Sequence, residues 1–124
     1  MDLKETNAGG TIVAAPVGRI DLSTTEKLQE AVMAVLNRAP RTLVLDLSGV
    51  EFMTSGGFRM LVILLRASKA QGKNFGITGP FQDLVRKVFP IFHAEIVFTV
   101  FDTARDAVAR LDPDALAQFE AVQP

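Results

Sequence analysis

The chain has 124 residues, 48% of them apolar and 22% charged, with a formal net charge of −1 and no cysteine. That length sustains one core without disulfides or a structural metal. The near-neutral charge removes the electrostatic basis for nucleic-acid binding, and the missing thiols exclude disulfides, thiolate metal centres and cysteine catalysis.

The N-terminal Met1-Asp2-Leu3-Lys4-Glu5-Thr6 has no apolar run after its charges and does not read as a secretory signal. Asn7-Ala8-Gly9-Gly10 is a turn signal between a short edge strand, Asp2 to Thr6, and a stronger strand, Thr11 to Val17, so a hairpin is expected to open the fold. Pro16 cannot donate to a ladder, which places the end of that strand at an edge, a bulge or the exit of the sheet. Gly18-Arg19-Ile20-Asp21 then leads the chain away.

Ser23-Thr24-Thr25-Glu26 has the spacing of a capping box. Behind it Leu28, Ala31, Val32, Val35 and Leu36 form an apolar stripe, predicting an amphipathic helix that ends near Pro40 and keeps Glu26, Lys27, Glu30, Asn37 and Arg38 in water.

The most informative stretch runs from Leu43 to Phe58. It reads as a buried strand, Leu43 to Met53, then the turn Thr54-Ser55-Gly56-Gly57 and a helix starting at Gly56 or Gly57. The predicted inward stripe of that helix is Phe58, Leu61, Val62 and Leu65. Met60, Ile63, Leu64 and Ala67 fall on the opposite side, with Arg59 and Arg66 on the flank, so that side is either covered by the same domain or docks a partner. Ser55 stands on the corner. An oxyanion there meets unpaired N–H groups and the positive end of the helix dipole, so a phosphate on Ser55 suits the domain, while its charge and bulk would expel a partner docked over it. Thr54 or Ser55 equally fits an ordinary helix cap. The longest apolar stretch, Met60 to Leu65, is far short of the ~20 residues of a bilayer span, so no membrane insertion and a cytoplasmic location are expected.

Gly72-Lys73 ends the helix, Asn74 to Thr78 is a strand, and Gly79-Pro80 starts a helix in which Phe81, Leu84, Val85, Val88 and Phe89 recur at helical spacing. Pro90 closes it. Ile96 to Phe101 reads as a strand, Asp102 as the N-cap of a helix carrying Ala107, Val108 and Leu111, and Asp112-Pro113-Asp114 as its end. Ala115 to Pro124, with Leu116 and Phe119, is expected to form one loose extra turn or to fray. The predicted fold is a single α/β domain over 1–112, with a mixed, mostly parallel sheet, an N-terminal hairpin and about four helices, followed by a tail over 113–124.

Catalytic patterns are missing. Met53 stands where a nucleophile elbow needs its first glycine. The single histidine, His93, reads as a loop or packing residue. Gly72-Lys73 lacks the flanking residues of a phosphate-binding loop, no G-x-G-x-x-G occurs, and Asp21, Asp46, Glu51 and Asp102 are too scattered for a metal loop. Asp46, in the buried strand, reads either as the mark of a site or, as aspartates at strand ends usually are, as an acceptor of backbone hydrogen bonds.

From about Thr11 to Leu111 the order of parts and the central motif resemble the STAS family, the domain of bacterial anti-sigma factor antagonists. Gly18-Arg19-Ile20-Asp21 resembles its G-x-[LI]-D. Leu43 to Met53 resembles its central strand, and Thr54-Ser55-Gly56-Gly57-Phe58 its D-S-[ST]-G-L turn. Val97 to Asp102, ahead of Ala107, completes the resemblance. It places the phosphorylated serine at Ser55, with Thr54 in the position of the aspartate and Gly56 in that of the second hydroxyl; Thr54 is the alternative acceptor.

The resemblance implies a non-enzymatic module without cofactor or metal. Unphosphorylated, it captures an anti-sigma factor with serine kinase activity of the histidine-kinase-like ATPase type and so frees a sigma factor; the kinase inactivates it and a serine phosphatase resets it. The implied partner surface comprises Asp21, Thr54, Ser55, Gly56, Gly57, Arg59, Met60 and Ile63. Thr54 and Gly56 also fit a second reading, a STAS scaffold that is never phosphorylated, in a signalling assembly or as accessory subunit of a lipid transporter.

Overall fold

The computed structural model describes residues 1–123. Strands β1 (Asp2–Ala8) and β2 (Thr11–Ile20) form the expected antiparallel hairpin, turned by Gly9, whose φ of +57° a side chain would strain. β2 serves two parallel neighbours in turn. Its residues Thr11 to Ala14 pair with β3 (Thr42–Asp46), and Gly18 to Ile20 pair with β4 (Val50–Met53).

Pro16 lies at this handover, opposite Leu3, rather than at the strand's end. Ala8 and Thr11 flank a two-residue turn as a bonded pair, so the antiparallel alternation puts Leu3 and Pro16 at a non-bonded pair. The N–H that proline lacks would point away from β1, between the reaches of β3 and β4, and the ladder loses nothing.

The segment expected as one strand from Leu43 to Met53 is therefore two. Asp46 Oδ1 accepts the Ser48 N–H at 2.9 Å and Val50 N–H donates to Leu47 O at 3.0 Å, which folds Leu47 to Gly49 into a tight turn. β5 (Asn74–Thr78) pairs parallel with β3, and the two-residue β6 (Val100–Phe101) pairs parallel with β5. The path is β1-β2-β3-β5-β6, with β4 beside the far end of β2.

Alternation along the strands sorts the side chains onto two faces. Ile12, Ala14, Leu43, Leu45, Phe75 and Ile77 meet α1 (Thr25–Arg38) and α2 (Ser55–Ala70) in the main core. Val13 and Val44 meet α5 (Ala104–Leu111) and α6 (Leu116–Val122) on the other side. The expected tail is thus a 3-10 turn, Pro113–Ala115, followed by α6, whose Phe119 is buried against this second face. Asp112, just before it, is also buried and accepts from Thr11 Oγ1 at 2.8 Å and Arg41 Nη2 at 3.0 Å. Pro124, the last residue of that expected tail, lies outside the described residues.

Several local expectations are corrected. No capping box forms at α1: Thr24 occupies the N-cap without a side-chain cap bond, and Ser23 instead donates to Asp21. α3 (Asp83–Val88) begins three residues beyond Pro80 and leaves Leu84 about half exposed. Ile96 to Phe101 is not one strand, because Ala94–Val97 is a helical turn, α4, stapled by Ala94 N–H to Phe89 O and Phe98 N–H to Ala94 O. The N-cap of α5 is Thr103, which accepts from Asp106 N–H at 3.2 Å, and not Asp102. α4 and α6 account for the helices beyond the expected four.

Candidate functional site

The end of β2 fixes the beginning of α2. Gly18, at φ +121°, sits where the β2–β4 register shifts, and a bulge there re-aims the strand so that Arg19 pairs with Phe52 and Ile20 with Met53. The Arg19 guanidinium covers the Phe52 ring at 4.6 Å. Thr54 N–H donates to Ile20 O at 3.0 Å, tying the last residue before the helix to the strand.

Thr54 is the N-cap of α2. Its Oγ1 accepts the Gly57 N–H at a long 3.4 Å and its backbone is extended, as a cap requires. With capping assigned to Thr54, Ser55 becomes the first helical residue, one or two positions earlier than expected. Its side chain is exposed, and among the described residues its hydroxyl makes no hydrogen bond. No acidic side chain lies in the first turn of α2. The corner therefore offers a free nucleophilic hydroxyl in the positive field of a 16-residue helix.

The two glycines differ. Gly57 is buried, and a Cβ on it would lie 2.6 Å from Met53 Cγ and 2.8 Å from Ile20 Cγ2, so it permits close packing of α2 on β2 and β4. Gly56 is exposed and has only Thr54 Oγ1, at 3.5 Å, within reach of such a Cβ.

Thr54, Ser55, Gly56, Arg59, Met60 and Ile63 come together along one open groove of about 770 Å³ between α1 and α2. Met60 is only 1% exposed and Leu64 is fully buried, both in the core that holds Val32 and Leu36 of α1. The apolar outer face expected of α2 is thus largely covered by α1: Met60 belongs to the groove floor, and Ile63, half-buried, remains the reachable apolar side chain. Phe58, Val62 and Leu65, expected to point inward, are only partly buried. Gly57 lies beneath the site rather than in it.

Asp21 does not line the groove. Its carboxylate accepts from Ser23 Oγ at 2.7 Å and Ser23 N at 3.0 Å, with Arg19 Nε 4.0 Å away, and these donors, Ser23 foremost, hold its pKa below the ordinary value. Leu22, next in sequence, does reach the groove and is 96% exposed. Sequence reasoning passed over it, although an apolar residue between Asp21 and Ser23 was a readable signal. Glu26 and Glu30, which the helical pattern assigns to open water, form the α1 wall of the groove. Among the described residues no group of three His, Cys, Asp or Glu side chains is placed to hold a metal ion, and no helix is long and apolar enough to cross a membrane.

A mixed, mostly parallel sheet with two long helices on one face and an exposed hydroxyl opening the second of them is the architecture of a STAS-type α/β domain. The chain belongs to the STAS domain family: the family model described as "Mlab, STAS domain" matches residues 5–96. It is 32% identical over 99 residues to the anti-sigma-F factor antagonist RsfB of Mycobacterium tuberculosis, a match covering 80% of each chain. The crystal structure of an anti-sigma factor antagonist from Mycobacterium paratuberculosis superposes with a TM-score of 0.75 at 26% identity, covering 89% of this chain and 92% of that one. The Bacillus cell fate determinant SpoIIAA, solved in its phosphorylated form, shares the fold at 18% identity with a TM-score of 0.63, over 88% of this chain and 98% of that one.

Proposed function

We propose that this protein is an anti-sigma factor antagonist switched at Ser55. Unphosphorylated, it captures an anti-sigma factor that is a serine kinase of the histidine-kinase-like ATPase type, and so releases a sigma factor. The kinase supplies ATP and catalysis: Ser55 Oγ attacks the γ-phosphorus, the bond to the leaving ADP breaks, and the hydroxyl proton passes to a base of the kinase. A serine phosphatase resets the cycle. This chain needs no cofactor of its own and acts in the cytoplasm, where the kinase finds its ATP.

The observation that carries this reading is the division of labour between Thr54 and Ser55. Thr54 takes the cap, which leaves the Ser55 hydroxyl exposed and unbonded at a helix start that favours an anion. The added charge of roughly −1.5 to −2 and its three acceptors then stand in the groove where a partner would lie. The relative RsfB and the neighbour from Mycobacterium paratuberculosis are both described as anti-sigma factor antagonists, which supports the same role.

The test is to assay each purified histidine-kinase-like ATPase of the source organism for labelled phosphate transfer to the full chain. Ser55→Ala is expected to keep kinase binding and lose incorporation, and Ser55→Asp to weaken binding. Binding of Ser55→Asp as tight as the unsubstituted chain overturns the switch. Thr54 and Gly56, together with the family description naming Mlab, favour one other reading, a STAS scaffold or lipid-transporter accessory subunit that is never phosphorylated. In that case no kinase labels Ser55 and Ser55→Asp leaves assembly intact.

A further inference from the structure

Ser55 stands on a ridge of α2 between two grooves of different charge. The one toward α1 has Glu26 and Glu30 on its far wall. The other, of about 500 Å³, runs from Ser55 to Phe92 over Phe58 and Val62, and among the described residues the charged side chains that line it are Arg59 and Arg66. Both arginines are exposed, and neither forms an ion pair among the described residues.

Phe92 lines the far side of this second groove and belongs to the 89–98 segment, which includes α4. The Phe92 ring stacks on Phe58 at 4.9 Å and 22°, and Phe58 meets Phe98 edge-on at 5.4 Å. Phe92 N–H donates to Val88 O at 3.2 Å and Ala94 N–H to Phe89 O at 3.1 Å, so the segment is fastened to α3 and through its aromatics to the first turn of α2. Yet it holds Ile91 and Ile96 at 70% and 83% exposure. With Val97 at 43%, three large apolar side chains are left in water within seven residues of one fastened segment, a concentration that suits an interaction surface.

We infer that this groove and segment form the second half of the footprint of the partner that engages Ser55, and that the partner covers them with an apolar surface carrying carboxylates for Arg59 and Arg66. The inference rests on the reading of Ser55 given above. Ser55, Arg59 and Ile63 line both grooves, so a body seated over the hydroxyl reaches this one without a gap. Two unpaired guanidiniums with no carboxylate in the lining select an acidic surface, although the chain as a whole carries net −1. A second copy fits poorly, because a two-fold contact of this groove with itself sets arginine against arginine. A lipid surface fits poorly as well, because Glu95 sets an exposed carboxylate directly beside Ile96.

The experiment titrates the unphosphorylated full chain against the purified kinase that labels Ser55, without nucleotide, by calorimetry. Arg66→Glu and the double variant Ile91→Ser/Ile96→Ser, all at exposed positions, are each expected to weaken binding by about tenfold or more, with Lys27→Glu on the outer face of α1 as an unaffected control. Unchanged affinity in both variants, with Ser55 still labelled, overturns this footprint and leaves the switch standing. Failure of every kinase to label Ser55 overturns both. Self-association, or sedimentation with phosphatidylglycerol vesicles, that is abolished in Ile91→Ser/Ile96→Ser assigns the surface to a second copy or to lipid and likewise overturns the inference.

Discussion

Gly57 rests directly on Met53, with 2.6 Å between Met53 Cγ and the place a Cβ on Gly57 would take. Gly57→Ala therefore has to push the first turn of α2 off β4, and should cost about 1–3 kcal/mol in urea unfolding, in the range of overpacked cores. Gly56→Ala, with open space around it, should be neutral or stabilise by up to about 1 kcal/mol, since alanine also improves helix propensity. The contrast in unfolding midpoints between two adjacent glycines is the check.

Thr54→Ala removes the cap of α2. The 3.4 Å bond to Gly57 N–H is long, so the loss should fall near the lower end of cap energies, about 0.5–1 kcal/mol, while Thr54→Asp should restore or exceed the original stability. Thermal unfolding of the two variants decides this.

Ser55→Asp separates stability from function. A carboxylate in the first turn of α2, where no acid now stands, should stabilise the isolated domain by about 0.3–1 kcal/mol at low ionic strength, and the gain should shrink as salt is added. The same variant is expected to bind its partner less well, so a raised melting temperature with reduced affinity is the predicted signature.

Much of the fold was legible in the sequence because the hairpin, α1, α2 and β5 carry long or clean periodicities. What escaped was short. Leu47 is fully buried between β3 and β4, so the apolar run hid a turn whose only signals were Asp46, Ser48 and Gly49. Ile96 to Phe101 is an apolar run too brief to tell a helical turn from a strand. The rotation of α2 differs from the apolar pattern for a related reason: its deepest face includes Gly57 and Ser68, which carry no hydrophobic signal, whereas Phe58 stacks on Phe92 and Val62 is only partly buried beside the same groove. At the site itself the serine was visible, but the roles of Thr54 and Ser55 depend on one residue of helix phase that the pattern leaves open.

The Asp21 carboxyl is held below its ordinary value of 3.8, first by the Ser23 hydroxyl and then by the Ser23 N–H, with Thr24 and Arg19 adding and desolvation opposing. A depressed carboxyl contributes stability that is present above its unfolded-state pKa and is lost as pH falls through the folded-state value. Carbon-detected NMR titration should place this carboxyl below ordinary aspartates, and Ser23→Ala should move it up. Asp21→Asn should lower stability near neutrality, where the ionised carboxyl contributes, and flatten the acid limb of the profile.

Asp112 clamps the C-terminal segment to the sheet through Thr11 and Arg41. Asp112→Ala strands a buried hydroxyl and should cost about 2–3 kcal/mol, Thr11→Val about 1 kcal/mol, and the double variant less than their sum. Chemical denaturation of the three proteins measures the coupling; strict additivity would show that the two groups act independently.

Ile20 receives the Thr54 N–H on its carbonyl, packs its side chain under Gly57, and is followed at once by Asp21 and Leu22. The span from the acidic corner before α1 to the hydroxyl opening α2 is therefore set by a rigid strand terminus, like the jaw width of a gauge. A binding protein that reads both corners meets a ready-made distance and forfeits little entropy in ordering it. Changes at Ile20, whose side chain is fully buried, would reset that distance without touching either corner.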